Sequence, residues 1–509
     1  MRLFSNSPSE PRPRLSALSS ALSSTLSSTL FLALTGALLL GACAHTPEPL
    51  ALPAAPVAGV YAEASSPTDP AAPTLAWRSY FTDPALQALI SQALANNRDL
   101  RIAAARVQQA QAAWGLQHAA SLPSVVGMAG NSRVHLPAGI NPLGSTIQAS
   151  GASLGLGFVS WEVDLWNRLG QLQDAAAQSA EAAEQARRGA ELSLVAQVAQ
   201  AHLALGELDE RLALARQAEA SRAESLRIFT RRVAMGASSR LQLTQVQTLL
   251  TQAQALVVQL QQTRAAQAQT LIALVGTPLE LPEHADALSR QSPVARLRTG
   301  LPSELLQARP DIVAAEHQLR AAHAQVGAAR AAFYPSLTLT TALGTTSSDF
   351  DGLFRGGSKA WLFAPSLNLP LFDGGRRENN LSLQQARQLE AVAQYEKSIQ
   401  NAFREVNDAL SASHALERQV HIAEAALQAQ TERARLSERR FDAGSAAFLE
   451  VLDAQRDLLS AGQQLVQARR AAMASRVLLY AALGGGTLAA ADAPQSPPSS
   501  APRTATAQP

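Results

Sequence analysis

Apolar residues recur at a three-and-four spacing along much of this chain. Ile399, Phe403, Val406 and Leu410 set that period, and Val420, Ala423, Leu427, Ala434 and Phe441 resume it downstream. The spacing slips near residues 413 to 416, so one heptad register does not cover the run. No proline interrupts residues 171 to 235, and neither proline nor glycine interrupts 376 to 443. Each stretch predicts a continuous helix of about 100 Å at 1.5 Å per residue. That is several times the usual globular length. Small residues at many seam positions suit close packing in a bundle.

The period changes to two at about 124–166 and again at about 336–372. Leu337, Leu339, Thr341 and Leu343 alternate with Thr338, Thr340, Ala342 and Gly344. Trp361, Phe363, Leu367, Leu369 and Leu371 alternate with Leu362, Ala364, Ser366 and Asn368. In the earlier segment Val126, Met128, Val134 and Leu136 face one way, followed after a turn near Pro137 to Pro142 by Leu154, Leu156 and Phe158. One face reads as apolar and the other as small or weakly polar. Trp161, Trp166, Trp361 and Phe372 gather near the strand ends. Such a pattern fits strands of an outer-membrane barrel between aromatic girdles. A pair of soluble hairpins with one face in a core would share it. Pro365 inside the last strand demands an edge or a bulge.

The chain repeats itself. "RRVAMGASSRLQLTQVQ" at 231–247 returns 208 residues later as "RRFDAGSAAFLEVLDAQ" at 439–455. Gly236 then matches Gly444, and Gly276 matches Gly484, at the same offset. Upstream, the segment ending at Pro123-Ser124 matches the one ending at Pro335-Ser336. The unit is a helix (the first opening at Asp83-Pro84, an N-cap acid before proline), two strands, a long helix, a corner and a return helix. Repeat one spans 77–300 with its corner at about 234–240, and repeat two spans 301–486 with its corner at about 442–448. Gly236 and Gly444 are expected to supply the left-handed backbone of each corner. Four strands cannot close a barrel, and an open edge in lipid is prohibitive. Three copies, giving twelve strands, would leave a lumen; two would give a filled barrel.

The N-terminus adds an address. Arg2, Arg12 and Arg14 precede the apolar run "LFLALTGALLLGAC", too short to span a bilayer comfortably. It ends on Leu40-Gly41-Ala42-Cys43, which resembles a bacterial lipobox, and Cys43 is the chain's sole cysteine. Residues 1–42 read as a lipoprotein signal peptide, 43–76 as a lipidated Pro/Ala-rich tether, and 487–509 as a disordered tail. Lipidation of Cys43 leaves no thiol for disulfides or metal. The lipid on Cys43 is then the chain's one added group, with no cofactor beside it. With 16% charged residues, 5% aromatic and a formal charge of +2, the 509-residue chain offers nothing to a nucleic acid.

Taken in order, several motifs resemble the TolC/OprM family of outer membrane factors, in its lipoprotein (NodT-like) branch. They are the lipobox, "WRSYFTDPALQALISQAL", "SWEVDLWNRLG", "ARPDIVAAEHQLRAAHAQVGAARAAFYPSL", "LNLPLFDGGRR", the second corner and "LYAALGGG". The resemblance spans about residues 77 to 486. It implies an α+β membrane protein, a homotrimer whose twelve-stranded outer-membrane β-barrel continues as a twelve-helix periplasmic barrel of long coiled-coil helices. It further implies the exit duct of a tripartite efflux pump in a Gram-negative bacterium, partnered by a periplasmic adaptor and an inner-membrane RND-type pump. A lipid-anchored periplasmic adaptor or scaffold without a pore is the alternative, although it would lack paired strands in both halves.

By the same resemblance, Leu449, Glu450 and Asp453 fall where the family's periplasmic gate lies. Arg435, Arg439 and Arg440 are expected to latch neighbouring helices there. Gly236, Ala237, Gly444 and Ser445 are expected to turn the corners and meet the adaptor. Solvated charges near a turn are the plain alternative. No enzyme emerges: His414 and His421 are seven apart and His317 and His323 six, unlike an i, i+4 metal pair, and no phosphate loop or nucleophile elbow occurs.

Overall fold

The computed structural model describes residues 49–58, 61, 70–139, 145–286, 288, 297–298 and 302–489. The proposed signal peptide, Cys43, the tether up to residue 48 with parts of 59–69, part of the turn at 137–142, and 490–509 lie outside the described residues. In chain order the elements are α1 (Trp77–Tyr80), α2 (Pro84–Asn96), α3 (Arg98–Ala120), β1 (Val125–Leu136) and β2 (Ile147–Val163). Then come α4 (Arg168–Ala234), α5 (Arg240–Val275), α6 (Pro302–Ala308) and α7 (Pro310–Ala331). The chain finishes with β3 (Ser336–Ser347), β4 (Lys359–Asn368), α8 (Arg376–Asp442) and α9 (Phe448–Ala482). Both long helices have 67 residues, and α8 runs unbroken through the slip at 413–416. No helix among the described residues is long and apolar enough to cross a membrane.

The duplication does not divide the chain into two bodies. Both repeats contribute to each of two compact units, one built from residues 117–173 and 324–384, the other from most of the remaining chain.

The first unit is a four-stranded antiparallel sheet in the order β1-β2-β3-β4, which leaves β1 and β4 as its edges. Pro365 therefore sits on an edge strand, opposite Leu339, where a missing N–H is tolerated. Leu343 pairs with Trp361, Thr341 with Phe363 and Leu337 with Leu367, so the apolar positions of β3 and β4 share one face. Leu156 opposite Leu343 and Phe158 opposite Thr341 extend that face onto β2. A bulge between Phe158 and Trp161, with Ser160 at φ +54°, keeps Trp161 on it, opposite Leu339. Strand β1 departs from the expectation. Val126 pairs with Gly157, Met128 with Gly155 and Val134 with Ala149, placing them on the opposite face from Leu154, Leu156 and Phe158. The hairpin register pairs even-numbered β1 residues with odd-numbered β2 residues, and a strand's side chains follow its register. The indole of Trp166 stacks on Tyr334 at 4.9 Å and donates to the Pro335 carbonyl at 2.7 Å.

The second unit is helical. Asp83 caps α2 by accepting from the Ala85 N–H at 2.9 Å, and its other oxygen meets His202 Nε2 at 3.0 Å. Leu208, Leu212 and Ala215 of α4 pack on Val257 and Leu260 of α5 to form one core cluster. On α4, Glu207, Asp209 and Glu210 are buried. Arg470 and Arg211 both pair with Glu207 at 2.9 Å, and Arg264 pairs with Asp209 at 2.5 Å. The Leu288 N–H donates to Glu210 at 2.8 Å. These acids thus fasten α9, α5 and the inter-repeat linker to α4, which offsets the cost of burying them.

Each return helix ends at a left-handed glycine, Gly276 at φ +79° and Gly484 at φ +75°. Both back directly onto a preceding helix: a Cβ would lie 2.7 Å from the Asn96 carbonyl oxygen in one case and 2.7 Å from that of Ala308 in the other. The stretches expected to be a loose tether and tail are in part tied together. Gly486 N–H donates to Ala72 O at 2.9 Å, Leu488 N–H to Pro73 O at 3.0 Å, and the Tyr480 hydroxyl to Leu75 O at 2.8 Å. The Thr487 hydroxyl donates to Ala308 O at 2.7 Å, so the expected tail is ordered through Leu488 by backbone and hydroxyl donors that find carbonyls.

Candidate functional site

The corners form by one mechanism. Beyond α4 the Gly236 N–H donates to Val233 O at 3.0 Å and the Ala237 N–H to Arg232 O at 2.8 Å. Beyond α8 the Gly444 N–H donates to Phe441 O and the Ser445 N–H to Arg440 O, each at 2.9 Å. This paired pattern satisfies the last carbonyls of a helix and demands a left-handed residue, here Gly236 at φ +74° and Gly444 at φ +71°. The exits differ. Ser239 and Gln242 cap α5 reciprocally in a capping box, whereas Ala447 before α9 has no side-chain cap.

At the second corner, Arg440 Nη1 meets Glu450 Oε1 at 2.7 Å and joins the end of α8 to the start of α9. Arg435 instead pairs with Glu432 on its own helix. That contact, with a smaller pull from Arg439, holds the Glu432 carboxyl below its usual range. The second bridge between the helices comes from Arg433, 2.7 Å from Asp457, whose carboxyl it likewise depresses. Helical geometry explains the exchange of roles. Positions 433 and 440 are two turns apart on one face, while 435 points about 200° away from 433. Asp453 pairs with Arg456 at 3.3 Å. These pairs are exposed to water, which screens them and leaves each a small contribution to stability. Leu449 is 49% exposed, whereas Phe448, Val451 and Leu452 around it are buried. Leu449 and Asp453, one turn apart, thus share a face the chain itself leaves uncovered.

The pattern did not announce what holds the two corners together. Phe229 and Val246 of the first corner pack with Phe448, Val451 and Leu452 of the second. The Phe448 ring lies 4.1 Å from that of Phe229 and 4.9 Å from that of Phe441, centroid to centroid. The Arg232 guanidinium stands 5.6 Å from both Phe229 and Phe441. In a chain with only 13 phenylalanines, three within the two corner regions were the available signal.

The sheet supplies the other surface. Trp361 is 77% exposed, Leu343 69% and Phe363 59%, all on the one apolar face. A contiguous exposed apolar face of this kind marks a surface that meets lipid or protein. Two histidines that sequence spacing had set aside as metal ligands are held by amide side chains: His317 bonds Gln178 at 2.7 Å and His323 bonds Gln388 at 3.1 Å. Burial, reinforced by Arg320, lowers the His317 pKa. Among the described residues no group of three or more His, Cys, Asp or Glu could hold a metal.

Comparison with known proteins bears on these surfaces. The family profile described as "Outer membrane efflux protein" matches residues 89–277 and 301–485, one match in each repeat. The chain is 40% identical to the antibiotic efflux pump outer membrane protein ArpC of Pseudomonas putida over 462 residues, covering 89% of this chain and 95% of that protein. It is 40% identical to outer membrane protein OprJ of Pseudomonas aeruginosa over 461 residues, with the same coverage of each. Among solved structures, the open state of the Neisseria gonorrhoeae MtrE outer membrane channel superposes with a TM-score of 0.80 at 32% identity, over 87% of this chain and 99% of that one.

Proposed function

Because the chain belongs to the outer membrane efflux protein family, we propose that it works as a homotrimeric exit duct, with a twelve-stranded barrel in the outer membrane and a twelve-helix periplasmic tunnel. It is an outer membrane efflux channel and not an enzyme. The observation that carries the trimer is the sheet with two unpaired edges and an exposed apolar face. Backbone groups at β1 and β4 need partners in lipid, and a neighbouring copy provides them. Three copies bring twelve strands, enough for a lumen.

In this reading the two corners are the periplasmic tip. Leu449, Glu450 and Asp453 line its constriction, with Arg440 and Arg433 bracing the second hairpin. Gly236, Ala237, Gly444 and Ser445 present the turns to a periplasmic adaptor that links the duct to an inner-membrane RND-type pump. A lipid on Cys43 anchors the chain to the same membrane. Three copies place six carboxylates from Glu450 and Asp453 around one axis, which favours cations.

Sedimentation of the purified protein together with planar-bilayer recording tests this. A trimer with small, cation-selective single-channel conductance is the expected result. A well-folded monomer without conductance refutes the duct.

A further inference from the structure

Behind the second corner, α4, α8 and α9 line an open-sided cavity of about 790 Å³. Leu214 and Ala218 line it from α4, Leu427 and Ala434 from α8, and Leu458 and Leu465 from α9. Its size suits a single small organic ligand. Arg222 stands in its α4 wall and is only 6% exposed. The Arg222 Nη1 donates to the Leu249 carbonyl at 3.0 Å, and among the described residues no carboxylate pairs with the guanidinium. A guanidinium has five N–H donors, so most of its capacity is unspent. Burying a cation without an anion is costly, which makes the position hard to explain as packing alone.

The other charges at the cavity are already matched or wet. Arg469 pairs with Glu424 at 3.0 Å and Arg435 pairs with Glu432. Glu210 accepts from the Leu288 N–H, and Glu438 is exposed to water. The internal duplication provides a control within the same molecule. Gln430 stands 208 residues after Arg222, at the corresponding place on α8, so a hairpin of this design folds without a cation there.

We propose that this cavity binds an amphiphilic carboxylate, its head on the Arg222 guanidinium and its hydrocarbon chain along the leucine and alanine walls. Arginine and carboxylate match in a two-bonded fork, and the apolar walls take the tail. The site lies along the helical hairpins and uses none of Leu449, Glu450 and Asp453, the residues assigned to the constriction.

Equilibrium dialysis of radiolabelled decanoate against the full-length protein in lipid nanodiscs, corrected with empty nanodiscs, tests the site. Saturable binding is expected, weakened about tenfold or more by Arg222→Gln, since a hydrogen bond to a charged group is worth about 1.5–3 kcal/mol. Arg222→Lys retains most of the affinity. Decanol, which has the same chain and no charge, binds wild type and Arg222→Gln alike. Ala434→Leu narrows the cavity with Arg222 intact and weakens decanoate binding as well, a second reading should Arg222→Gln fail to fold by circular dichroism. Equal decanoate affinity in wild type and a folded Arg222→Gln overturns the proposal. So does the absence of saturable binding to the folded wild type, the result expected if another chain fills the cavity in the assembly.

Discussion

Replacing Phe448 with alanine should loosen both corners, although only one is altered. The ring is 7% exposed and touches Phe229 of the first corner and Phe441 of its own hairpin. Truncating a buried phenylalanine costs about 3–5 kcal/mol, of which each lost ring pair accounts for about 0.5–1.5 kcal/mol. The cluster lies at the far ends of two hairpins whose remaining length is held by separate contacts such as the Leu208–Leu260 core and the buried acids of α4. The loss therefore falls on local opening of the tips and little on the global thermal midpoint. At about 1.4 kcal/mol per factor of ten, tip opening becomes roughly two to three and a half powers of ten more frequent. Hydrogen exchange read by mass spectrometry on peptides covering 225–250 and 437–455 measures it directly. Protection should fall in both peptides. Unchanged exchange in the first corner would show that the phenylalanines do not couple the hairpins.

Three further outcomes are expected. Glu450→Gln combined with Asp453→Asn should reduce cation selectivity in a planar bilayer, and unaltered selectivity would remove these acids from the conduction path. Gly484→Ala forces a left-handed residue to carry a Cβ 2.7 Å from the Ala308 carbonyl oxygen. It should destabilise by more than the roughly 1–2 kcal/mol of the backbone term alone, measured as a lowered thermal midpoint. Asp83→Asn keeps a competent N-cap and should cost on the order of 1 kcal/mol near neutral pH through its weakened contact with His202. The His202 hydrogen bond holds the Asp83 carboxyl below its ordinary range. A depressed pKa contributes stability above the unfolded value and loses it as pH falls through the folded one. Acid unfolding curves of variant and wild type should therefore separate above about pH 4 and converge below it.

Much of this architecture was legible because it rests on period and punctuation. The absence of proline announced α4 and α8 nearly to their ends, and the paired glycines announced both turns. Alternation along β3 and β4 survived because their register pairs like with like. It failed for β1, where Val126 and Met128 look like partners of Leu154 and Leu156 until the hairpin register is known, because a shift of one residue moves every side chain to the other face. The tip arginines show a different limit. Charge composition placed cations there, but only the helical phase distinguishes Arg433 and Arg440, which cross to α9, from Arg435, which does not. Contacts between repeats, such as Phe229 with Phe448, join residues more than 200 positions apart and leave no trace in local periodicity.

The cap glycines carry a consequence for how such a chain can change length. Gly236 and Gly444 stand 208 residues apart, as do Gly276 and Gly484, so both return helices span the same number of residues from turn to seat. Each seat is pressed against a fixed carbonyl, and the two turns are welded by phenylalanines. Deleting one residue from α5 alone would draw its turn back by about 1.5 Å and rotate it by about 100° relative to its partner. A lineage can lengthen or shorten these hairpins only in matched blocks across all four helices, so insertions confined to one repeat should be confined to its loops.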